Sequence, residues 1–263
     1  MNVLITGAAS GIGFEVAKRL SFYNNNVIIG VHTKAQLNTT IEKIKNYKSI
    51  KCIKMDVTKS KDINIVNDYK IDILICNAGV GYGGSILDIP LKTIKRNYEI
   101  NVFSTIKLIQ IVSKQMLERG SGRIIIMSSL LGVVPMKFFG AYSSTKASLN
   151  SLAVSLKKEL NLINKNISVS LIEPGSYYTG FNQIMIENNY NYSTESVFGN
   201  RIHKIIKKNL KFFSIIEKKN LNSIVSKIVD ASISENPRFI YRAPFFQSIF
   251  INLNKLIFNL FHL

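Results

Sequence analysis

Short apolar runs alternate with longer segments of helical periodicity along most of the chain. The runs have strand length and predict six buried β-strands: Asn2–Thr6, Val27–Val31, Ile50–Lys54, Ile71–Cys76, Arg123–Ser128 and Ile167–Ile172. Between them, three- and four-residue spacing predicts helices over Gly11–Ser21, Ala35–Asn46, a short segment from Lys59, Leu91–Leu117 and Ala141–Leu162. Strands that alternate with helices imply right-handed crossovers. We therefore expect a single α/β domain with a doubly wound, mainly parallel, Rossmann-like sheet.

Two later segments depart from this pattern. Residues 176–200 are rich in Tyr, Asn and Ser and lack clear periodicity. An insertion after the sixth strand lies where open α/β sheets bind ligands, so this segment is predicted to form a lid. A last strand is expected over Pro237–Arg242, which closes a domain spanning residues 1–244. Residues 245–263 form a separate amphipathic tail with one apolar stripe: Phe246, Ile249, Phe250, Leu253, Leu256, Ile257, Leu260 and Phe261.

Composition narrows the class of protein. The 263 residues are 46% hydrophobic, enough for one well-buried core, and carry a formal net charge of +18. The lysines are dispersed, without an arginine-rich block or a nucleic-acid recognition motif, so no nucleic-acid partner is expected. The first apolar run is too short for a secretory signal, which predicts a cytoplasmic protein. No spacing of cysteine and histidine predicts a metal site.

A glycine-rich turn joins the first strand to the first helix. Its sequence is Thr-Gly-Ala-Ala-Ser-Gly-Ile-Gly, from Thr6 to Gly13. Gly7 and Gly11 permit a close approach of backbone to phosphate, and Gly13 permits tight helix–strand packing. The helix N-terminus offers free N–H groups to an anion, and Ser10 and Ile12 lie within the same turn. The turn therefore predicts a dinucleotide site.

Further motifs follow this turn in a fixed order. They are Asp56-Val57 after the third strand, Asn77-Ala78-Gly79 after the fourth, Asn101 in the long helix, Ser129 after the fifth strand, Tyr142-x-x-x-Lys146, and Pro174-Gly175 with Thr179 after the sixth. Together with the glycine turn they resemble the short-chain dehydrogenase/reductase family, in its compact Tyr-x-x-x-Lys branch. The resemblance runs from residue 3 to about residue 182. It implies an oxidoreductase that interconverts a carbonyl and an alcohol.

Tyr142 and Lys146 lie four residues apart on one helix face, which suits acid–base chemistry. A neighbouring ammonium favours phenolate, so we expect Lys146 to lower the pKa of Tyr142, the predicted general acid/base. The resemblance implies that Lys146 also holds the nicotinamide ribose and that Ser129 positions the substrate oxygen. Ser128 is the rival, but Ser129 lies thirteen residues before Tyr142, which fits the family's spacing. The resemblance further implies that Asn101 holds a water in a proton relay.

Other expected contacts of the cofactor also come from the resemblance. Asp56 and Val57 would meet adenine, Asn77, Ala78 and Gly79 would stabilise the sheet end beside the cofactor, and Pro174, Gly175 and Thr179 would meet the nicotinamide carboxamide.

The residues after the second strand bear on which nicotinamide cofactor is used. NAD-dependent relatives carry an acidic residue there, but this chain has Val31-His32-Thr33-Lys34 and no Asp or Glu between Val16 and Ile41. An acidic group would repel a 2′-phosphate, whereas His32, Thr33 and Lys34 could bind it. NADP(H) is therefore favoured over NAD(H).

Substrate and assembly are less constrained. The tail and the lid resemble those of reductases acting on lipophilic carbonyls, and the family resemblance implies a homodimer or homotetramer through the Leu91–Leu117 and Ala141–Leu162 helices. Three roles remain open for the tail: packing on the core or a second subunit, peripheral contact with a membrane surface, and a spanning helix. A non-catalytic NADP(H)-binding regulator or scaffold is the alternative function, disfavoured because the catalytic residues are all present.

Overall fold

Seven parallel strands form the central sheet in a computed structural model that describes residues 1–188, 196–251 and 253. The strands are β1 (Asn2–Thr6), β2 (Asn26–Val31), β3 (Ile50–Lys54), β4 (Ile73–Cys76), β5 (Gly122–Met127), β6 (Ile167–Pro174) and β7 (Ile240–Ala243). Their order in the sheet is β3-β2-β1-β4-β5-β6-β7. The predicted doubly wound, parallel Rossmann-like fold is confirmed. The last strand begins later than predicted because its pairing with β6 starts only at Leu171 opposite Ile240.

Helices cover both faces of the sheet. They are α1 (Gly11–Ser21), α2 (Lys34–Ile44), α3 (Ser60–Ile63), α4 (Leu91–Tyr98), α5 (Ser104–Arg119), α6 (Gly140–Ile163), α7 (Phe181–Glu187), α8 (Arg201–Ile216) and α9 (Asn222–Ile233). The strands read as continuous apolar runs because alternate side chains enter different cores. Ile5 packs in the core that includes α1 and α9, and Leu4 packs in the core that includes α5 and α6.

The strand order creates a crevice at the carboxyl end of the sheet. From β1 the chain winds outward through β2 and β3, then returns to place β4 on the other side of β1. The loops after β1 and β4 therefore diverge, which opens the position where such sheets bind ligands.

The predicted helix over Leu91–Leu117 is wrong in one respect. Helices α4 and α5 are joined by a π-helical turn over Glu99–Phe103, which contains Asn101. Periodic apolar spacing cannot reveal one extra residue in a turn, and π-turns often accompany functional sites. The hydroxyl of Thr105 donates to the carbonyl oxygen of Asn101 at 2.9 Å, giving this backbone a partner within the turn.

The tail is helical over residues 245–251, and the part of the apolar stripe within it is not the face that packs on the fold. Ser248 and Ile251 are buried, whereas Phe246 and Phe250 of the predicted stripe are 77% and 65% exposed. Gln247 fixes this orientation by bonding to neighbouring segments on both sides. The stripe residues Leu256, Ile257, Leu260 and Phe261 lie outside the described residues. Among the described helices, none combines the length and apolarity required to cross a bilayer.

Candidate active site

A cavity of about 810 Å³ occupies the crevice. One part is lined by the glycine turn and by the loops that follow β2, β3 and β4. The other part is lined by the loops after β5 and β6 and by residues of α7, α8 and the tail. The predicted lid contributes α7 and several lining residues, and its residues 189–195 lie outside the described residues.

The glycine turn has the backbone shape that a phosphate cradle needs. Gly7 and Gly11 have φ values of +64° and +61°, which side chains disfavour. A Cβ on Gly7 would lie 2.6 Å from the Cα of Ala78, and one on Gly13 would lie 2.5 Å from Nδ2 of Asn77. The first turn of α1 has N–H groups without intrahelical partners and no acidic residue, so it can accept an anion.

Asn77 holds this turn in place. Its Nδ2 donates to the carbonyl oxygens of Thr6 at 2.9 Å and Gly7 at 3.0 Å. The hydroxyl of Thr6 accepts in return from the N–H groups of Asn77 and Ala78. Asn77 therefore connects the ends of β1 and β4 and fixes the wall on which a cofactor would rest.

The two serines after β5 have different surroundings. The hydroxyl of Ser128 donates to the carbonyl oxygen of Lys146 at 3.1 Å and to the side chain of Asn150. Ser129 instead faces the phenol of Tyr142 and lowers the pKa of that group, and its Oγ accepts from the N–H of Leu131 at 3.1 Å. The geometry therefore favours Ser129 as the residue beside the predicted acid/base.

Tyr142 is buried in the wall of the cavity, with 6% of its surface exposed. Its ring lies 5.6 Å from that of Phe181, centroid to centroid. Burial raises the pKa of Tyr142 well above its ordinary value, and the hydrogen bond with Ser129 opposes only part of that rise. The expected lowering of this pKa by Lys146 is therefore not found, because desolvation dominates and only Ser129 opposes it.

Lys146 is buried one helical turn after Tyr142. Its ammonium donates to the carbonyl oxygen of Met127 at 2.8 Å and lies 5.7 Å from the centroid of the Tyr142 ring. Burial lowers the pKa of Lys146 to about 8. The ammonium is thus held close to the phenol by the end of β5, with a proton that it can lose just above neutral pH.

Asn101 lies behind the cavity wall. Its Oδ1 accepts from the N–H of Val80 at 2.8 Å, and its Nδ2 donates to the carbonyl oxygen of Val80 and the hydroxyl of Thr145. It does not line the cavity, although a Cβ on Gly79 would lie 3.3 Å from its Oδ1 and 3.7 Å from Nζ of Lys146. Its side chain is thus engaged in holding the loop after β4.

At the opposite part of the cavity, His32, Asp56 and Val57 line the wall, while Thr33 and Lys34 do not. Nε2 of His32 lies 3.5 Å from Oδ2 of Asp56. Burial alone would raise the pKa of Asp56, but hydrogen bonds from Thr58 and the charge of His32 lower it overall. This carboxyl is therefore ionised at neutral pH and already has partners.

The remaining predicted residues lie across from the glycine turn. Pro174, Gly175 and Thr179 line the cavity, and a Cβ on Gly11 would contact Thr179 at 3.5 Å. The three therefore face the predicted dinucleotide site from the β6 side.

Sequence reasoning missed Gln36 and the apolar wall. Oε1 of Gln36 accepts from the N–H groups of His32 and Thr33, and the Thr33 hydroxyl accepts from the N–H of Gln36. The Thr33-x-x-Gln36 spacing of this capping box could have revealed it. The apolar wall comes from distant elements and has no local signal. It includes Leu131, Met136, Ile184, Phe212, Phe213, Ile216, Phe246 and Phe250.

Comparison with known proteins decides the family. The sequence model described as short chain dehydrogenase matches residues 1–189, most of the chain. The chain belongs to the short-chain dehydrogenase/reductase family. It is thus a member of an oxidoreductase family that binds a nicotinamide cofactor and acts on small molecules.

Individual relatives agree with this assignment. A Helicobacter pylori protein, described as the probable short-chain type dehydrogenase/reductase VdlC, is 28% identical over 88% of this chain and 83% of its own length. The 7alpha-hydroxysteroid dehydrogenase of Escherichia coli K12 is 30% identical over 67% of this chain and 71% of its own. A Burkholderia phymatum family member, solved in complex with NAD, has the same fold with a TM-score of 0.84. The structural match covers 98% of this chain and 94% of the Burkholderia chain, and the two sequences are 19% identical.

Proposed function

We propose that this protein is an NADP(H)-dependent oxidoreductase that interconverts a lipophilic carbonyl compound and its alcohol, with Tyr142 as general acid/base. One observation carries the proposal. Ser129, Tyr142 and Lys146 lie together on the wall of the cavity that also contains the glycine turn. A phosphate cradle and a proton donor therefore share one space, as reduction of a carbonyl requires.

Each side chain has a defined task in this proposal. When bound, the reduced cofactor supplies a hydride to the carbonyl carbon. The phenol of Tyr142 donates its proton to the carbonyl oxygen, and in the reverse direction the phenolate accepts the proton of the alcohol. The hydroxyl of Ser129 donates a hydrogen bond to the same oxygen. The ammonium of Lys146, held by the carbonyl of Met127, stabilises the phenolate left after proton transfer.

Three features support NADP(H) rather than NAD(H). No carboxylate follows directly after β2. The nearby carboxylate of Asp56 is paired with the imidazole of His32. Lys34 begins α2, and Nζ of Lys43 lies 3.4 Å from the carbonyl oxygen of Ala9 in the glycine turn. Lys43 is thus held beside the glycine turn, and Lys34 comes two residues after His32, which lines the end of the cavity where an adenosine 2′-phosphate would bind.

Fluorescence titration with NADPH and NADH tests this preference. NADPH should bind more tightly, and Lys34→Glu should weaken NADPH more than NADH. Lys48→Glu, an exposed change before β3, is the charge control and should leave both affinities unchanged. Tighter binding of NADH by the unaltered protein would contradict the NADP(H) assignment while leaving the catalytic residues in their proposed roles.

A lipophilic substrate suits the rest of the cavity. Its walls away from the glycine turn carry aromatic and aliphatic side chains from α7, α8 and the tail. The whole cavity, with the part at the glycine turn included, has a volume of about 810 Å³, in the upper part of the range of ligand sites. Oxidation of NADPH with a panel of ketones of increasing apolar size should be fastest with the larger ketones. A preference for small polar carbonyls would contradict the assignment of a lipophilic substrate.

We also propose self-association, through the faces predicted from the sequence. Phe103 is 54% exposed beside α5, and Leu152 and Val154 are about 40% exposed on α6. Apolar side chains at these positions suit burial against a second copy. Light scattering should give the mass of a dimer or tetramer, and Leu152→Glu should lower it.

A further inference from the structure

Large apolar side chains lie at the mouth of the cavity. Ile184, Phe212, Phe246 and Phe250 each line the cavity, yet each is between 42% and 77% exposed. We call these four residues the apolar rim. Large exposed apolar patches on a protein surface mark sites of interaction. The rim therefore borders the apolar cavity and also faces outward.

The rim is held in place by specific bonds. Nε2 of Gln247 donates to the carbonyl oxygen of Ile216 at the end of α8, at 2.8 Å. Its Oε1 accepts from the N–H of Ser176 at 2.7 Å. Ser248 and Ile251 lie on the inner face of the same helical segment and are buried. The segment thus presents Phe246 and Phe250 outward because its other face is already packed.

A line of positive charge leads to this rim. Arg201, Lys204, Lys208 and Lys211 are exposed on α8 at spacings of three, four and three residues, so they share one face of the helix. We call these four residues the cationic stripe. Ile215 continues the same face and is 72% exposed, while Ile202, Ile206 and Phe213 turn towards the core. Helix α8 contains no acidic residue.

We propose that the rim and the stripe form one docking face for an anionic lipid bilayer, so that the cavity opens towards the membrane. An interfacial helix combines apolar side chains that enter the acyl boundary with lysines that meet anionic headgroups. This face has both, arranged around an opening instead of along a groove that a nucleic-acid strand could follow. As regards substrate, the inference rests on the proposed function, since a lipophilic carbonyl would reach the cavity directly from the lipid.

Cosedimentation of the full chain with vesicles tests the docking face. Vesicles of phosphatidylcholine with a minor fraction of phosphatidylserine should bind the protein, and raised salt or pure phosphatidylcholine should weaken binding. The triple variant Lys204→Glu, Lys208→Glu and Lys211→Glu should lower partitioning at least about tenfold. The matched control is Lys48→Glu, Lys70→Glu and Lys165→Glu. These exposed lysines precede β3, β4 and β6, at the amino ends of the strands, whereas the cavity lies at their carboxyl ends. Partitioning of this control variant should be unchanged.

The apolar contribution is tested separately with Ile215→Ser, which lies outside the cavity lining and should weaken binding at both low and high salt. Melting curves identify any variant that fails to fold. Three outcomes would overturn the docking face: equal losses of vesicle binding in the two triple variants, no binding to either kind of vesicle, or binding of single-stranded RNA in preference to vesicles.

Turnover of a water-soluble ketone with NADPH separates the docking face from the proposed function. Turnover without vesicle binding removes only the docking face, and vesicle binding without turnover of any carbonyl removes only the proposed function.

Discussion

Removing one oxygen atom from Tyr142 separates its chemical role from its structural one. Tyr142→Phe keeps the ring against Phe181 and deletes the phenolic hydroxyl, whose pKa a side-chain hydrogen bond with Ser129 lowers. One such bond contributes about 1 kcal/mol to stability. Loss of one bond therefore lowers the melting temperature by about 2–4 °C in a protein of this size. The Oγ of Ser129 still accepts from the N–H of Leu131, which limits the damage.

The catalytic loss should be far larger. A positioned general acid contributes about 10²–10⁴-fold to rate, which corresponds to about 3–5 kcal/mol of transition-state stabilisation. We therefore expect kcat for carbonyl reduction to fall by at least about 100-fold. The affinity for NADPH should change little, because the phosphates bind at the glycine turn.

The chain offers a matched control in Tyr177. This tyrosine also lines the cavity, is buried, and has its hydroxyl 2.7 Å from Oγ of Ser223. Tyr177→Phe deletes the same atom from a similar environment outside the catalytic set. Both variants should lose similar stability, but only Tyr142→Phe should lose turnover. Full turnover by Tyr142→Phe, or equal losses of turnover in the two variants, would refute the assignment of Tyr142 as the acid/base.

Two further predictions follow from the geometry of the site. Gly7→Ala should abolish measurable cofactor binding and lower stability, since its Cβ would lie 2.6 Å from the Cα of Ala78. Gly120→Ala is the control. Gly120 has a similar φ of +76°, but a Cβ added there would have open space, with Nδ2 of Asn164 the nearest atom at 3.8 Å. Equal losses of cofactor binding in the two variants would contradict the proposed clash. Because burial lowers the pKa of Lys146 to about 8, its stabilising charge is present below that pH and lost above it. The kcat/KM for reduction should therefore fall as pH rises through about 8, and a level profile to pH ~10 would contradict a role for this charge.

The same depressed pKa affects stability in the opposite direction. A lysine whose pKa is lowered by folding binds its proton less well in the folded state than in the unfolded state. The resulting penalty is present below pH of about 8 and disappears as pH rises towards the ordinary value of 10.5. Lys146 therefore lowers the free energy of unfolding at neutral pH, where its charge has its proposed catalytic role.

Local patterns predicted the sheet well because its strands are short apolar runs, and the central ones are buried on both faces. Runs such as Asn2–Thr6 and Ile50–Lys54 coincide with β1 and β3, residue for residue. The four-residue spacing of Tyr142 and Lys146 likewise predicted that they share a helix turn, and both line the cavity. Such inferences succeed when the deciding contacts are close in the chain.

Other features depend on contacts that sequence spacing cannot reveal. The sequence left three roles open for the apolar stripe of the tail. In the fold Gln247 bonds to Ser176 and Ile216, and Phe246 and Phe250 are turned outward. The pKa of Tyr142 was expected to fall, but burial by α7 and α8 raises it. In both cases the outcome depends on segments brought together only by the tertiary fold.

Transfer of hydrogen from cofactor to substrate shows whether the protein reduces a carbonyl with Tyr142 as the proton donor. The purified protein would be incubated with a lipophilic ketone and NADPH carrying deuterium at the reactive position of the nicotinamide, and the product examined by mass spectrometry. We expect an alcohol that carries the label from the unaltered protein and from Tyr177→Phe, with little product from Tyr142→Phe. Tight binding of NADPH without alcohol from any carbonyl tested, or alcohol without the label, would contradict the proposed function.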